Sequence, residues 1–407
     1  MAKIIERPIY LQALEEVKQT PDIKILAGVR RSGKSVILEQ FIDHLRNTDP
    51  LANIIHINFS ITDFENLRDY HSLENYINKL YDPERQNYVF IDEVQMCSGF
   101  KLAINSLHAR GLYDIYLTGS NAFLQRSDLS TLFVGRTFTI PVYPFSFQEY
   151  LDYFSMKDID LAFTRFLQEG GFSGSYLYKT EERHTQYINE TVDALIVRDI
   201  VQKYKVRKDH LLSFLIDFFC SNIGQLTSVS NITKCLRQEH KGITDPTVER
   251  YVDYFCNAFL FYPVRRYDIR GKKYLSSNEK YYLVDTGIRY ARLGKRDMNY
   301  GPILENAVAI ELMRRGYELY VGVLYRSEID FVAMKNGSPI YIQVTNNLSD
   351  PNTFKREVSP LIEIKDSYPK AILSRTHQPT YVHEGIHIVD VAEWMRGKVP
   401  LYDSVIY

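Results

Sequence analysis

Eight consecutive residues, Gly28-Val29-Arg30-Arg31-Ser32-Gly33-Lys34-Ser35, restrict the fold of this chain more than any other stretch. They match the pattern G-x-x-x-x-G-K-[ST] in full. The apolar run Ile23-Lys24-Ile25-Leu26-Ala27 before them reads as a buried strand, and Val36-Ile37-Leu38-Glu39-Gln40-Phe41 after them reads as the first turns of a helix. Two glycines let the backbone turn tightly, so successive N–H groups and the positive end of the helix converge on one anion. The expected fold class is α/β, a P-loop parallel sheet with its ligand site at the carboxyl ends of the strands. All eight residues are candidate nucleotide ligands. Lys34 is expected to reach the β- and γ-phosphates of ATP, and the Ser35 hydroxyl to hold Mg²⁺.

Ile54-Ile55-His56-Ile57-Asn58-Phe59 reads as a second strand, followed by a helix through Leu73, Tyr76, Ile77 and Leu80. The next strand, Tyr88-Val89-Phe90-Ile91-Asp92-Glu93, ends in two carboxylates at the carboxyl end of a parallel strand. Beside a P-loop, that pattern makes Asp92 a Mg²⁺ ligand, directly or through its water, and Glu93 the group that polarises the water attacking the γ-phosphate. Ile115 to Asn121 is another buried strand, running into small polar residues. Ser120, with Thr118 and Asn121 beside it, is the candidate to hydrogen-bond the γ-phosphate or the attacking water; a helix cap is the alternative. Arg136 is a candidate for the cation that stabilises transferring phosphate charge, in this chain or in a neighbouring one, with a plain surface arginine as the alternative. At the start of the chain, residues 4–10 form a short arm before a helix through Leu11, Leu14 and Val17. The arm is expected to pack either against the nucleotide base or on the sheet edge.

Together, residues 23–35, Phe90-Ile91-Asp92-Glu93-Val94-Gln95, Leu117-Thr118-Gly119-Ser120, and Gly135-Arg136 with the proline- and aromatic-rich 141–150 resemble the prokaryotic AAA+-like ATPases that carry an uncharacterised C-terminal domain. The resemblance extends over most of the chain. It implies an ATPase core at 1–155, a helical linker and winged-helix region at 156–300, and a C-terminal α/β domain at 301–407 similar to restriction-endonuclease folds. The implied activity is ATP hydrolysis driving a conformational switch. No Asn-Lys-x-Asp guanine-reading motif is present, which favours ATP over GTP. Gly170-Gly171 resembles the family's joint after the core, and Arg198-Asp199 a matching pair to which no role is assigned.

In the middle region, 211–219, 229–236 and 246–259 read as three helices, the last opened by Asp245 as N-cap and Pro246. A strand at 260–267 and a turn at 270–272 complete a winged-helix pattern. The third helix carries Glu249 and Asp253 outward, which repel phosphate. The segment 265–273 carries five cations and one anion, so it is the candidate DNA-contacting wing; a solvated hairpin is the alternative. In the C-terminal region, a helix at 303–315, strands at 317–321, 328–333 and 340–344, a helix around 354–364 and a strand at 371–373 follow the order of the PD-(D/E)XK core. Asp330, supported by Glu328, supplies its first carboxylate. Gln343-Val344-Thr345 stands where that chemistry needs Glu-x-Lys, and Glu305 could offer only one further oxygen. A nuclease-like fold retained for docking is the expectation, with DNA processing by an ATP-driven assembly as the competing class.

Composition sets outer bounds. At 407 residues the chain exceeds one ordinary core, and 49 Lys and Arg against 50 Asp and Glu argue against a protein that coats nucleic acid. No run approaches a membrane span and the first residues lack a signal-peptide core, so a soluble, cytoplasmic protein is expected, acting on a protein partner, on DNA or as a homo-oligomer. The four cysteines are scattered, with no C-x-x-C pair, which suggests reduced thiols rather than zinc or disulfides.

Overall fold

The computed structural model describes residues 3–119, 133, 135–206, 210–239, 243–294, 299–325 and 327–402. Five short strands of the first region, β1 (Ile23–Ala27), β2 (Asn53–Asn58), β3 (Asn87–Asp92), β4 (Tyr113–Thr118) and β5 (Thr137–Pro141), pair in parallel in the order β2-β3-β4-β1-β5. Both β1 and β3 are buried along their whole length, as strands covered on two faces must be. Alternate side chains feed two cores. Ile23, Ile25 and Ala27 pack with Ile57, Val89 and Leu107 on one side, beneath α3 (Tyr70–Lys79) and α4 (Phe100–Arg110). Leu26 packs with Phe41, Phe90 and Tyr116 on the other, beneath α1 (Pro8–Glu16) and α2 (Lys34–Thr48). Because β4 lies between β1 and β3, its carboxyl end separates the P-loop from the acidic end of β3.

A capping box, Ser146 with Glu149, opens α5 (Phe147–Phe154), and α6 (Ile159–Glu169) stops at Gly170. The next helix, α7 (Glu181–Leu195), runs on into a π-helical segment, Ile196–Val201. The expected three helices occur as α8 (His210–Ser221), α9 (Val229–Glu239) and α10 (Asp245–Asn257). In α10, Thr244 rather than Asp245 holds the N-cap position, with Val248, Val252 and Phe255 buried. The hairpin β6 (Phe261–Asp268) and β7 (Lys273–Leu283) follows, then α11 (Thr286–Leu293) and α12 (Tyr300–Arg314).

The remaining elements are β8 (Glu318–Val323), β9 (Glu328–Lys335), β10 (Ser338–Thr345), α13 (Pro351–Glu363), β11 (Lys370–Ser374), β12 (Tyr381–His383), β13 (Ile386–Asp390) and α14 (Val391–Met395). They form an eight-stranded sheet ordered β12-β13-β11-β10-β9-β8-β6-β7. The hairpin β6-β7 therefore belongs to this sheet, through parallel pairing of β6 with β8, and the sheet passes straight across the expected boundary at 300. One apolar cluster joins Phe163, Phe255, Leu283, Leu304, Phe331 and Trp394, so the core is also shared. The physical reason is the edge of β8: its backbone groups need partners, and the hairpin supplies them. All four cysteines are free thiols, and among the described residues no helix is long and apolar enough to cross a membrane.

Candidate active site

The P-loop leaves β1 at the carboxyl end of the first sheet. Gly28 lies so close to the chain after β5 that a Cβ there would stand 2.0 Å from the Val142 carbonyl oxygen. Gly33, at φ +93°, caps α2 without a side-chain hydrogen bond, so the first amides of the helix stay free for an anion. Lys34 is buried, and its ammonium donates to the carbonyl oxygens of Gly28 at 2.9 Å and Val29 at 3.0 Å. Burial lowers its pKa to about 8, against the opposing pull of Glu93 and Asp199.

A chain of hydrogen bonds ties the loop to β3 and β4. The Ser35 hydroxyl donates to Asp92 Oδ1 at 3.0 Å, and the buried Thr118 hydroxyl donates to the same oxygen. Thr118 Oγ1 in turn accepts the Glu93 N–H at 3.2 Å. Glu93 sits at φ +56°, a left-handed conformation uncommon outside glycine, and the Gln95 amide donates to its carboxylate. One hydroxyl and one carboxylate in contact are the hard oxygen donors that Mg²⁺ takes from a protein when substrate phosphates complete its shell. The residues present fit that ion.

The structure thus brings Gly28 to Ser35, Asp92 and Glu93 to one place. Ser120 and Asn121 lie outside the described residues; Thr118, two residues before Ser120 at the end of β4, contacts Asp92 and Glu93. Arg136 is a correction to the expectation of a cation acting within the chain. It is exposed, its carbonyl accepts the Ile23 N–H at 2.8 Å, and it precedes β5 at the amino end of β1. The P-loop lies about 16 Å away at the other end of that strand, so Arg136 stands apart from this chain's own site.

Two contacts with the loop come from elsewhere in the chain. From the N-terminal arm, Arg7 is 1% exposed and donates to the Ser32 carbonyl at 2.8 Å, to the Tyr143 carbonyl at 2.9 Å and to Glu149 at 2.7 Å. The arm is thus packed against the P-loop itself rather than only along a sheet edge. Burial would raise the Glu149 carboxyl, but Arg7 and Arg314 hold it below its ordinary value. From the π-helical segment, Asp199 approaches Arg30 at 3.7 Å. In the sequence Asp199 stands out only as half of the pair Arg198-Asp199, to which no role is assigned.

In the C-terminal region, Glu305, Glu328 and Asp330 gather around an ammonium that the sequence did not single out. Lys280, from β7, lies 3.0 Å from Glu305, 2.8 Å from Glu328 and 3.8 Å from Asp330. Burial opposes its charge, but the three carboxylates hold its pKa above the lysine range. Gln343 accepts the Asp330 N–H at 2.7 Å, and Asp330 accepts the Val344 N–H at 2.8 Å. This donor set, already paired to an internal cation, does not fit a divalent metal. In the hairpin, Arg265 pairs with Glu279 at 3.4 Å, while Asp268 takes the N–H groups of Arg270 and Gly271. Asp268 in the turn and Glu279 on β7 thus offset part of the hairpin's positive charge.

A P-loop, an acidic strand end hydrogen-bonded to it and a five-stranded parallel sheet define a P-loop NTPase fold. Residues 20–151 match the family described as AAA domain, and residues 161–299 match a domain of unknown function (DUF8612). The chain belongs to the same family as an uncharacterized protein of Haemophilus influenzae, 36% identical over 398 residues, covering 96% of this chain and 98% of that one. The uncharacterized protein MJ1544 of Methanocaldococcus jannaschii is 27% identical over 388 residues, covering 91% of this chain and 82% of its own. Among solved structures, the Aeropyrum pernix ORC1 protein in complex with DNA aligns at 12% identity and a TM-score of 0.29, covering 72% of this chain and 94% of that one. A likeness of that size carries no functional conclusion.

Proposed function

We propose that this protein hydrolyses ATP with Mg²⁺ and uses the cycle to switch its helical and C-terminal regions toward a partner. The observation that supports this best is the unbroken contact chain Ser35–Asp92–Thr118–Glu93. Lys34 and the loop amides would hold the β- and γ-phosphates. Ser35 and Asp92 would hold Mg²⁺, which when bound neutralises charge on the phosphate oxygens. Thr118 fixes the backbone of Glu93, Gln95 donates to its carboxylate, and Glu93 would polarise the attacking water. Arg136, exposed and at the far end of β1 from this site, would act only on the site of a neighbouring subunit.

For the later regions we favour a docking role. The winged-helix reading rests on the succession of α8, α9, α10 and the hairpin, and the nuclease-like reading on the order of elements from α12 to β11. Metal-dependent cleavage is not proposed, because Lys280 supplies the cation that the carboxylates would otherwise seek. The competing reading, a DNA-directed ATPase, takes its support from the cations at 265–273. The test is steady-state phosphate release with and without duplex DNA across a salt series. A protein-directed switch predicts Mg²⁺-dependent turnover indifferent to DNA. Stimulation by DNA that fades steeply with salt would favour the DNA-directed reading, and no turnover under any condition would overturn both.

A further inference from the structure

The P-loop carries two arginines that the phosphate chemistry does not require, and both meet the same helix. Arg31, at φ +68°, lies with its guanidinium 6.0 Å from the centre of the Tyr187 ring on α7. Arg30 lies 3.7 Å from Asp199, about three turns of chain further into the same helical run. Asp199 is 2% exposed and sits within the π-helical segment Ile196–Val201, a backbone form found mostly as single turns at functional sites.

The pair is poorly satisfied. At 3.7 Å it is longer than a hydrogen bond, and among the described residues Asp199 Oδ2 and Arg30 Nε are buried without a partner. Burial pushes the Asp199 carboxyl above its ordinary value, although Arg30 and Lys34 pull the other way. A buried carboxylate and a part-buried guanidinium held this loosely gain little from each other, and a triphosphate on the loop would offer Arg30 a stronger, bidentate partner. It would also place new negative charge beside Asp199, where Glu93 already acts on it.

We propose that Asp199 is a positioning residue of the ATP site, contributed by the helical region: it holds Arg30 when the loop carries no triphosphate and surrenders it to the phosphates when ATP binds. The π-helical segment then loses its tie to the loop, so nucleotide state is passed to α7 and the regions beyond. This rests on the ATPase reading above. Asp199 acts through Arg30 and is not itself in contact with the reacting atoms.

The test uses the full chain, with ATP and Mg²⁺ as the probe, and two readouts besides turnover: equilibrium ATP affinity and amide hydrogen exchange across 196–204. In the wild type, ATP should speed exchange in that segment. Asp199→Asn should bind ATP about fivefold or more tightly, because Arg30 no longer has a competing partner, and should show fast exchange with or without nucleotide. Arg30→Gln should show the same fast exchange but weaker ATP binding, a pairing of results that simple destabilisation would not give. Wild-type affinity in Asp199→Asn, or exchange across 196–204 unmoved by ATP in the wild type, would overturn the proposal. If Asp199→Asn does not fold, unchanged exchange in Arg30→Gln overturns it equally. No saturable ATP binding by the wild type would remove the ATPase reading, and this inference with it.

Discussion

The charge state of Lys34 is the residue-scale property with the clearest consequence. Its ammonium is buried among loop carbonyls, and desolvation brings its pKa down to about 8. Below that pH the cation is present for the phosphates; above it, the free protein holds a neutral amine. ATP binding above about pH 8 therefore requires uptake of a proton, and affinity should fall by up to about tenfold per unit as the pH rises from there. Bound phosphate pulls the pKa back up, which ends the fall at higher pH. Titrations of ATP between pH 7 and 9.5 check this, and a flat profile would contradict it. Most of these residues were legible in the sequence because their spacing is local: the loop occupies eight consecutive positions, and Asp92-Glu93 end an apolar run. Arg7, Asp199 and Lys280 were not, because each acts through a partner far away along the chain, and one sequence carries no mark of that proximity.

At the scale of elements, the parallel strands and their helices followed from apolar runs, but their order did not. That β4 lies between β1 and β3 depends on crossovers, and it is this order that puts Thr118 between the loop and Glu93. The hairpin β6-β7 shows the same limit. Its strands and turn were readable, while its pairing with β8 was not, because edge pairing is settled by the third dimension. The joint at Gly170-Gly171 turns out to be a packed junction rather than a loose linker. Asp285 accepts the Gly171 N–H at 2.5 Å and the Gly287 N–H at 2.8 Å, and its carboxyl is pushed up to about 7 by burial. A Cβ on Gly171 would stand 2.3 Å from the Phe145 carbonyl oxygen. Gly171→Ala should accordingly destabilise the fold by about 1–3 kcal/mol, measured by denaturant unfolding, with backbone and not side-chain atoms forced to move. An unchanged midpoint would show the joint to be slack.

Across the whole molecule, buried charge connects the P-loop to the far end of the chain. Arg7 joins the Ser32 carbonyl to Glu149; Arg314, on α12, approaches Glu149 at 4.0 Å and donates to the Pro144 carbonyl at 2.9 Å; Glu311 then pairs with both Arg314 and Arg315. Arg315 donates to the Trp394 carbonyl at 2.7 Å. Such a network is costly to bury and is broken only at a further cost, which suits regions that move together rather than independently. The central claim remains that the loop and the acidic end of β3 form one ATP-hydrolysing site. Lys34→Ala and Glu93→Gln separate its two halves, so the most direct measurement is ATP affinity and single-turnover hydrolysis in both variants. The account predicts that Lys34→Ala loses ATP binding, whereas Glu93→Gln keeps near-wild-type affinity and hydrolyses at least about 100-fold more slowly. Undiminished hydrolysis in both variants would contradict it.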